Sequence, residues 1–341
     1  MNNKILVVGD AHLREKLQYD EYVEGGRDKE KKEILDLIVE SSKDCDSVVF
    51  LGDQLNARNN ASSVVKEFVN FLERFEGKTL YILSGNHELI SGNRSALDFL
   101  KEVKGKDWHI ITDKVTTIND LTFCPYFTKR QLESETNEEG TKKLMEKLVG
   151  GKILFAHLAI SNSLTSSGIS TNVFNEVVLS KEELEKRFKL VVAGHIHHFS
   201  IKDRTIIAGS LFNQEVGELQ KYILKINTST LEYEQIKLPG RPIYKLENPT
   251  EEKIEELSNH SIVKVVLTKK RPTSEIMELK EKLKNFDAYL LLESIPNQRK
   301  RMHFDEGEGF LEYSVEKLLE VYAEEKKMDI NKLKAGFELI R

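Results

Sequence analysis

At 341 residues, 39% of them hydrophobic and 31% charged, the chain is long enough for two domains and has the make-up of a globular protein with a polar surface. Its net charge of −5 excludes the basic balance by which many nucleic-acid binders announce themselves, so any grip on a polyanion has to be local. No apolar run approaches the roughly 18 residues of a membrane span, and two distant cysteines, Cys45 and Cys124, exclude a disulfide scaffold.

In chain order, the start runs into an apolar stretch at 5–8 without the long apolar core of a signal peptide. With free thiols, that places the protein in a reducing compartment, the cytoplasm of a cell or of an infected host. Further short apolar runs lie at 47–51, 80–84, 153–155 and 190–193, with the composition of strands buried on both faces. Between them sit helical patterns: Ile34, Leu37 and Ile38; Val64, Phe68, Phe71, Leu72 and Phe75; Leu144 and Leu148; Leu184 and Phe188. Strands alternating with helices predict an α/β domain, in which ligands gather beyond the carboxyl ends of the strands. After Gly194 the pattern changes, and 222–226 with 231–236 reads as a hairpin closing a second sheet of the same domain. Pro239-Gly240-Arg241-Pro242 then breaks the chain. The division is therefore 1–240, a small β-α-β module over 241–305, and a helical segment over 306–341. In the module, strands at 262–267 and 288–292 flank a helix at 274–286, and basic clusters lie at Lys269-Lys270-Arg271 and Arg299-Lys300-Arg301. In the last segment Val315, Leu318, Leu319 and Tyr322 form one amphipathic stripe, and Ile330, Leu333 and Phe337 a second.

Five short segments lie where strand-like runs end, four of them holding six of the nine histidines: Asp10-Ala11-His12, Gly52-Asp53, Gly85-Asn86-His87-Glu88, Ala156-His157 and Gly194-His195-Ile196-His197-His198. A lone histidine at a strand end is ordinarily structural; the five segments in this order are not. Asp, Asn and His converging on one sheet edge supply mixed oxygen and nitrogen ligands for two divalent ions. Asp53, central in the series, is assigned as the bridging carboxylate. Asp10, His12 and His197 complete one ion's set, and Asn86, His157 and His195 the other's. His195 and His197, two apart in an extended segment, would face the same side and reach one ion each. Such a pair of ions grips a phosphate ester and activates water. His87 is the proton donor to the leaving oxygen, oriented by Glu88. His198, His109, His260 and His303 are read as bystanders.

These segments resemble the signature of the calcineurin-like metallophosphoesterases, D-x-H, G-D, G-N-H-[DE], a lone H after a strand, and G-H-x-H, over about residues 4–213. The resemblance implies a two-sheet sandwich flanked by helices. With the small module and the C-terminal helices, the chain is similar to the Mre11/SbcD-type DNA repair nuclease subunits, above all the compact phage forms. That implies a DNA exonuclease of 3′→5′ polarity and single-strand endonuclease, using Mn2+, with Mg2+ the alternative. It also implies a module that caps the site and helps hold DNA, C-terminal helices that bind a Rad50/SbcC-like ATPase, and a homodimer. Asp10, His12, Asp53, Asn86, His157, His195 and His197 match the family's metal ligands, and His87 its catalytic histidine. One departure stands out: cellular members carry a further histidine shortly after G-D, where this chain reads Gln54-Leu55-Asn56-Ala57-Arg58, and Arg58 or Asn56 is a candidate for phosphate contact instead. The competing expectation is a stand-alone phosphoesterase acting on a small phosphodiester or a phosphoprotein, which has no use for the region beyond 240.

Overall fold

Two six-stranded mixed sheets dominate the computed structural model, which describes residues 3–163, 170–171, 175–218, 220–257, 260–268, 272–292 and 330. The basic clusters at 269–271 and 299–301, and both C-terminal stripes, lie outside the described residues except Ile330.

The first sheet runs Tyr233–Lys237, Tyr222–Asn227, Lys4–Val8, Ser47–Phe50, Thr79–Leu83, Trp108–Ile111. Its last four strands are parallel, and the Tyr222–Lys237 hairpin joins antiparallel on Lys4–Val8. This corrects the expectation that the hairpin closes the second sheet: Ile5 pairs with Ile226 and Val7 with Leu224, extending the first. The second sheet runs Ser200–Lys202, Thr205–Ile207, Phe188–Gly194, Gly151–His157, Leu121–Cys124, Thr116–Ile118, with four parallel strands inside and an antiparallel strand at each edge. Phe188, expected on a helix, opens the central strand; the helix before it stops at Arg187.

Period-two alternation builds the layers. Ile5, Val7, Val49, Leu51, Tyr81 and Leu83 face Phe123, Ile153, Phe155, Leu190 and Val192 of the other sheet in a core between the two, where the Tyr81, Phe123 and Phe155 rings stack in series. Leu6, Val8, Val48, Phe50, Leu80 and Ile82 point the other way, under the helices Asp28–Ser41 and Ser62–Glu73. Leu154, Ala156, Val191 and Ala193 likewise meet the helices Asn137–Lys147 and Lys181–Arg187. The result is a helix, sheet, sheet, helix sandwich. Each central strand is covered on both faces, the reason these runs are apolar throughout.

Beyond Pro239 a separate three-stranded parallel sheet forms from Ile243–Glu247, Ile262–Leu267 and Asp287–Leu292, with the helices Glu251–Glu255 and Thr273–Lys282. The strand at Ile243–Glu247 extends the expected β-α-β unit by one strand and a short helix. Its own small core contains Ile254, Val263, Val265, Leu267, Leu279 and Leu283.

A buried ion pair ties this module to the sandwich. The Arg27 guanidinium, without solvent exposure, donates from Nε and Nη2 to both oxygens of Glu30, at 2.9 and 2.7 Å, and from Nη1 to the carbonyls of Gln18 and Asn213. Glu30 Oε1 also accepts the backbone N–H of Arg241, whose side chain pairs with Asp287. Removing one partner of such a pair leaves the other charge buried and uncompensated. Arg27→Ala is therefore expected to cost about 3–5 kcal/mol, read from urea denaturation; a loss under about 1 kcal/mol would contradict the buried network.

Candidate metal centre

The parallel strands of both sheets end on one edge of the sandwich, and the polar motif residues sit just past those ends. Asp10 follows Lys4–Val8, Asp53 follows Ser47–Phe50, Asn86 follows Thr79–Leu83, His157 ends Gly151–His157, and His195 follows Gly194. Asp10, His12, Asp53 and His157 are buried, Asn86, His195 and His197 half-buried, and His87 exposed.

Glycines let these loops close on one another. A Cβ at Gly85 would lie 2.1 Å from Asp53 Oδ1, and one at Gly52 2.4 Å from His157 Nδ1. Gly52 also has φ +108°, a conformation that side chains resist. Glu88 then staples the loops: its buried carboxylate accepts the backbone N–H groups of Asp53, Leu55 and Gly85 at 2.8–3.0 Å. Burial, with Asp53 nearby, pushes this carboxyl up to about 8, against the downward pull of those three donors. The expectation that Glu88 orients His87 is corrected here, because the carboxylate points inward at main chain. His87 is held instead by the Asn56 carbonyl, 2.7 Å from its Nδ1, and its own N–H donates to Asp53 Oδ1.

Two groups of side chains with ligand atoms within 4.8 Å form at this edge: Asp10, His12 and His197, and Asp53, His157 and His195. They are the two sets read from the sequence, with Asn86 Oδ1 in the second, 3.1 Å from His157 Nε2 and 2.9 Å from His195 Nδ1. Asp53 lies between the groups, its Oδ2 3.8 Å from His12 Nε2 and 3.3 Å from His157 Nε2. A third grouping joins His12, Asp53 and His87. His195 and His197 reach different groups, but from a bend rather than an extended run, since His195 has φ +87°. His198 is exposed and lines a different cavity with Ser161, Lys181 and Lys202.

The hydrogen bonds show what this arrangement lacks. A carbonyl only accepts, so His157 Nδ1, 2.9 Å from the Leu51 carbonyl, carries the proton. Its Nε2 then presents a lone pair to Asn86 Oδ1 and Asp53 Oδ2, so acceptor faces acceptor. His12 Nε2 and His197 Nε2 meet at 2.9 Å, and at most one can hold a proton between them. Asp10 Oδ1 and His12 Nδ1 are buried without a partner. Burial pushes His12 down to about 3, so it stays neutral, and burial with Asp53 beside it pushes Asp10 well above the carboxylate range. Cations placed among the inward-facing atoms would resolve the facing acceptors at His157, Asn86 and Asp53, the His12–His197 pair and the unpartnered Asp10 Oδ1. A mixed carboxylate, amide and imidazole set fits divalent ions of hard-to-borderline character.

The sequence reading missed the groups behind the imidazoles. Glu176 Oε1 lies 2.9 Å from His195 Nε2, and Tyr126 Oη donates to Glu176 Oε2 at 3.1 Å. Glu218 Oε1 lies 3.5 Å from His197 Nδ1, and Lys221 bonds Glu218, Ser210 and the His197 carbonyl. A short run at 121–124, closing just before Tyr126, was a usable signal; nothing in the local pattern marks Glu176 or Glu218.

From Asn86 and Tyr126 a groove of about 700 Å³ leads away from the centre. Arg58, Lys129 and Arg130 line it, all exposed and with no ion pair among the described residues. A cavity of about 720 Å³ between the helices Asp28–Ser41 and Ser62–Glu73 contains none of the site residues.

Residues 3–199 match the family model of the calcineurin-like phosphoesterases. No curated protein matches the chain. Among solved structures, one described as a novel archaeal phosphodiesterase is 15% identical, covering 69% of this chain and 99% of its own at a TM-score of 0.33. Another is 12% identical, covering 70% and 100% at a TM-score of 0.40. Likeness at this level says nothing of substrate.

Divalent cations are expected to stabilise the fold, because only the folded state assembles these acceptors. At 100 times its Kd, a cation adds about 2.7 kcal/mol, seen as a rise in Tm when Mn2+, Mg2+ or Zn2+ is returned to chelator-treated protein. No shift with any of the three would sink the metal reading.

Proposed function

We propose, for a chain that belongs to the calcineurin-like phosphoesterase family, that the phosphoester it hydrolyses is the DNA backbone, cut as a 3′→5′ exonuclease and single-strand endonuclease with Mn2+ at both sites. The observation that carries this reading is the groove that starts at Asn86 of the centre and is lined by Arg58, Lys129 and Arg130, three cations against the carboxylates of Glu133 and Glu176. A small phosphoester needs no cations beyond the reacting phosphate. A strand carries a phosphate on every nucleotide and is held by such contacts. Tyr126 in the same groove offers an aromatic face to a base.

Asp10, His12, Asp53 and His197 would hold one ion, and Asp53, Asn86, His157 and His195 the other. Divalent ions bound there polarise phosphate oxygens and lower the pKa of water. The protein's own part is to place and protonate. With His87 Nδ1 fixed on the Asn56 carbonyl, Nε2 is the nitrogen left to exchange a proton, and the exposed ring lets the leaving oxygen reach it. A carbonyl partner accepts from Nδ1 whether the ring is neutral or charged, so His87 can give up its Nε2 proton without rearranging. Its N–H bond to Asp53 Oδ1 ties the donor's position to the central carboxylate. Arg58, where cellular relatives of the resembled nucleases have a histidine nearby, takes a backbone phosphate in this scheme.

The resemblance extends the proposal to partners. Residues 306–341 would bind a Rad50/SbcC-like ATPase, and the chain would act as a homodimer.

Degradation of single- and double-stranded DNA with Mn2+ tests the chemistry. His87→Ala should lower kcat by about 10²–10⁴-fold while Mn2+ uptake stays as in the wild type. Exchanging Arg58, Lys129 and Arg130 for Ala should raise KM for DNA and flatten its salt dependence by roughly three phosphate contacts. Turnover of a small phosphodiester without breakdown of any DNA favours the stand-alone phosphoesterase instead. Deleting 308–341 should leave small-substrate hydrolysis intact and abolish co-purification with a Rad50-like ATPase; retained co-purification excludes the helices as the docking segment.

A further inference from the structure

The four imidazoles around the centre with a settled outer contact do not all face the same way. His157 and His87 each give Nδ1 to a main-chain carbonyl, of Leu51 and Asn56. His197 turns Nδ1 toward Glu218 and Nε2 toward His12. His195 is reversed: Nδ1 faces Asn86 Oδ1 and Nε2 faces outward to Glu176 Oε1, both at 2.9 Å. Presenting an Nδ1 lone pair requires the proton on Nε2, so the outer acceptor decides whether His195 can serve as a ligand at all.

That acceptor is a full carboxylate held from two sides. Its second oxygen takes the Tyr126 hydroxyl, and the Tyr126 ring lies 5.6 Å from the His195 ring. Among the described residues no Lys or Arg pairs with Glu176. Glu218, by contrast, shares its charge with Lys221 at 3.1 Å and stands farther from its histidine, at 3.5 Å. The negative charge behind His195 is thus the less compensated of the two.

Resting on the reading of this edge as a two-ion centre, we infer that Glu176, braced by Tyr126, is a positioning residue that fixes the His195 tautomer and sets the affinity of the ion held by Asp53, Asn86, His157 and His195. Carboxylates behind ligating imidazoles orient the ring and raise its basicity, and their loss weakens metal binding about 10–100-fold. The direct effect falls on one ion, because among the described residues Glu176 bonds His195 and Tyr126 and none of Asp10, His12 and His197.

Calorimetric titration of chelator-stripped full-length protein with Mn2+ tests this, with the electron paramagnetic resonance signal of the Mn2+ pair as a second readout. Wild type should take up two ions. Glu176→Ala should weaken one of them by about 10–100-fold, change the other much less, and replace the coupled-pair signal by that of a single ion at limiting Mn2+. Glu176→Gln keeps an acceptor for Nε2–H without the charge and should fall between. Both variants binding both ions like wild type would overturn the role. If Glu176→Ala does not fold, unchanged affinities in Glu176→Gln, which preserves the shape, overturn it alone. Wild-type protein that takes up no Mn2+ overturns the metal reading itself, a failure visible without any variant.

Discussion

Crowding of hydrogen-bond acceptors at one sheet edge is the constraint on which the rest of this structure depends. Two buried carboxylates, an amide oxygen and the inner nitrogens of four histidines converge where the parallel strands end. Buried acceptors without donors cost free energy, so this edge is stable only because other parts of the molecule hold it. Glycines at 52 and 85 remove side chains that would collide with His157 and Asp53. Glu88 gathers three main-chain N–H groups and locks the Asp53 and Asn86 loops together. The layered core fixes the strands that carry those loops. The local strain at His12, Asp53 and His195, all with positive φ, lies within this one patch, where a bound ion would offset it.

How the imidazoles are held divides the site into a rigid and a tunable part. His157 and His87 rest on main-chain carbonyls, which belong to the sandwich loops and cannot be exchanged by a point substitution. His195 and His197 rest on side-chain carboxylates, Glu176 and Glu218, supplied by segments outside the strand ends. The sheet therefore sets which residues face the centre, whereas two of the imidazoles are backed by side chains from outside the strand ends.

Much of this was legible in the residues alone, for a physical reason. A strand covered on both faces must be apolar at every position, so its end is marked by the first polar residue, and in this chain those residues are the chemistry. The sandwich came from the family resemblance, and the structure gives its physical basis: Ile5 and Val7 face one layer, Leu6 and Val8 the other. What escaped depends on pairing across long separations. The hairpin at 222–237 carries nothing local that says it docks on Lys4–Val8 rather than on the second sheet. Glu88 looked like a partner for its neighbour His87, but in a tight loop adjacent side chains diverge, and burial turned it toward three N–H groups. Glu176 and Glu218 sit in unremarkable stretches, and two of the contacts that fix the histidines are to carbonyl oxygens, which no side-chain pattern records.

The charge balance bears on how this site would meet a polyanion. At −5 the whole chain offers no long-range attraction. At physiological salt, fields fade over about 8 Å, so only charges near the reacting phosphate matter. Arg58, Lys129 and Arg130 line the groove beside Glu133 and Glu176, and bound cations would offset the negative charge of Asp10 and Asp53. A phosphodiester strand would thus meet a negative molecule whose groove of mixed charge turns net attractive at the centre only when the ions are in place. The same carboxylates that demand cations for stability would repel a phosphate without them, so assembly of the centre and admission of the substrate become a single event.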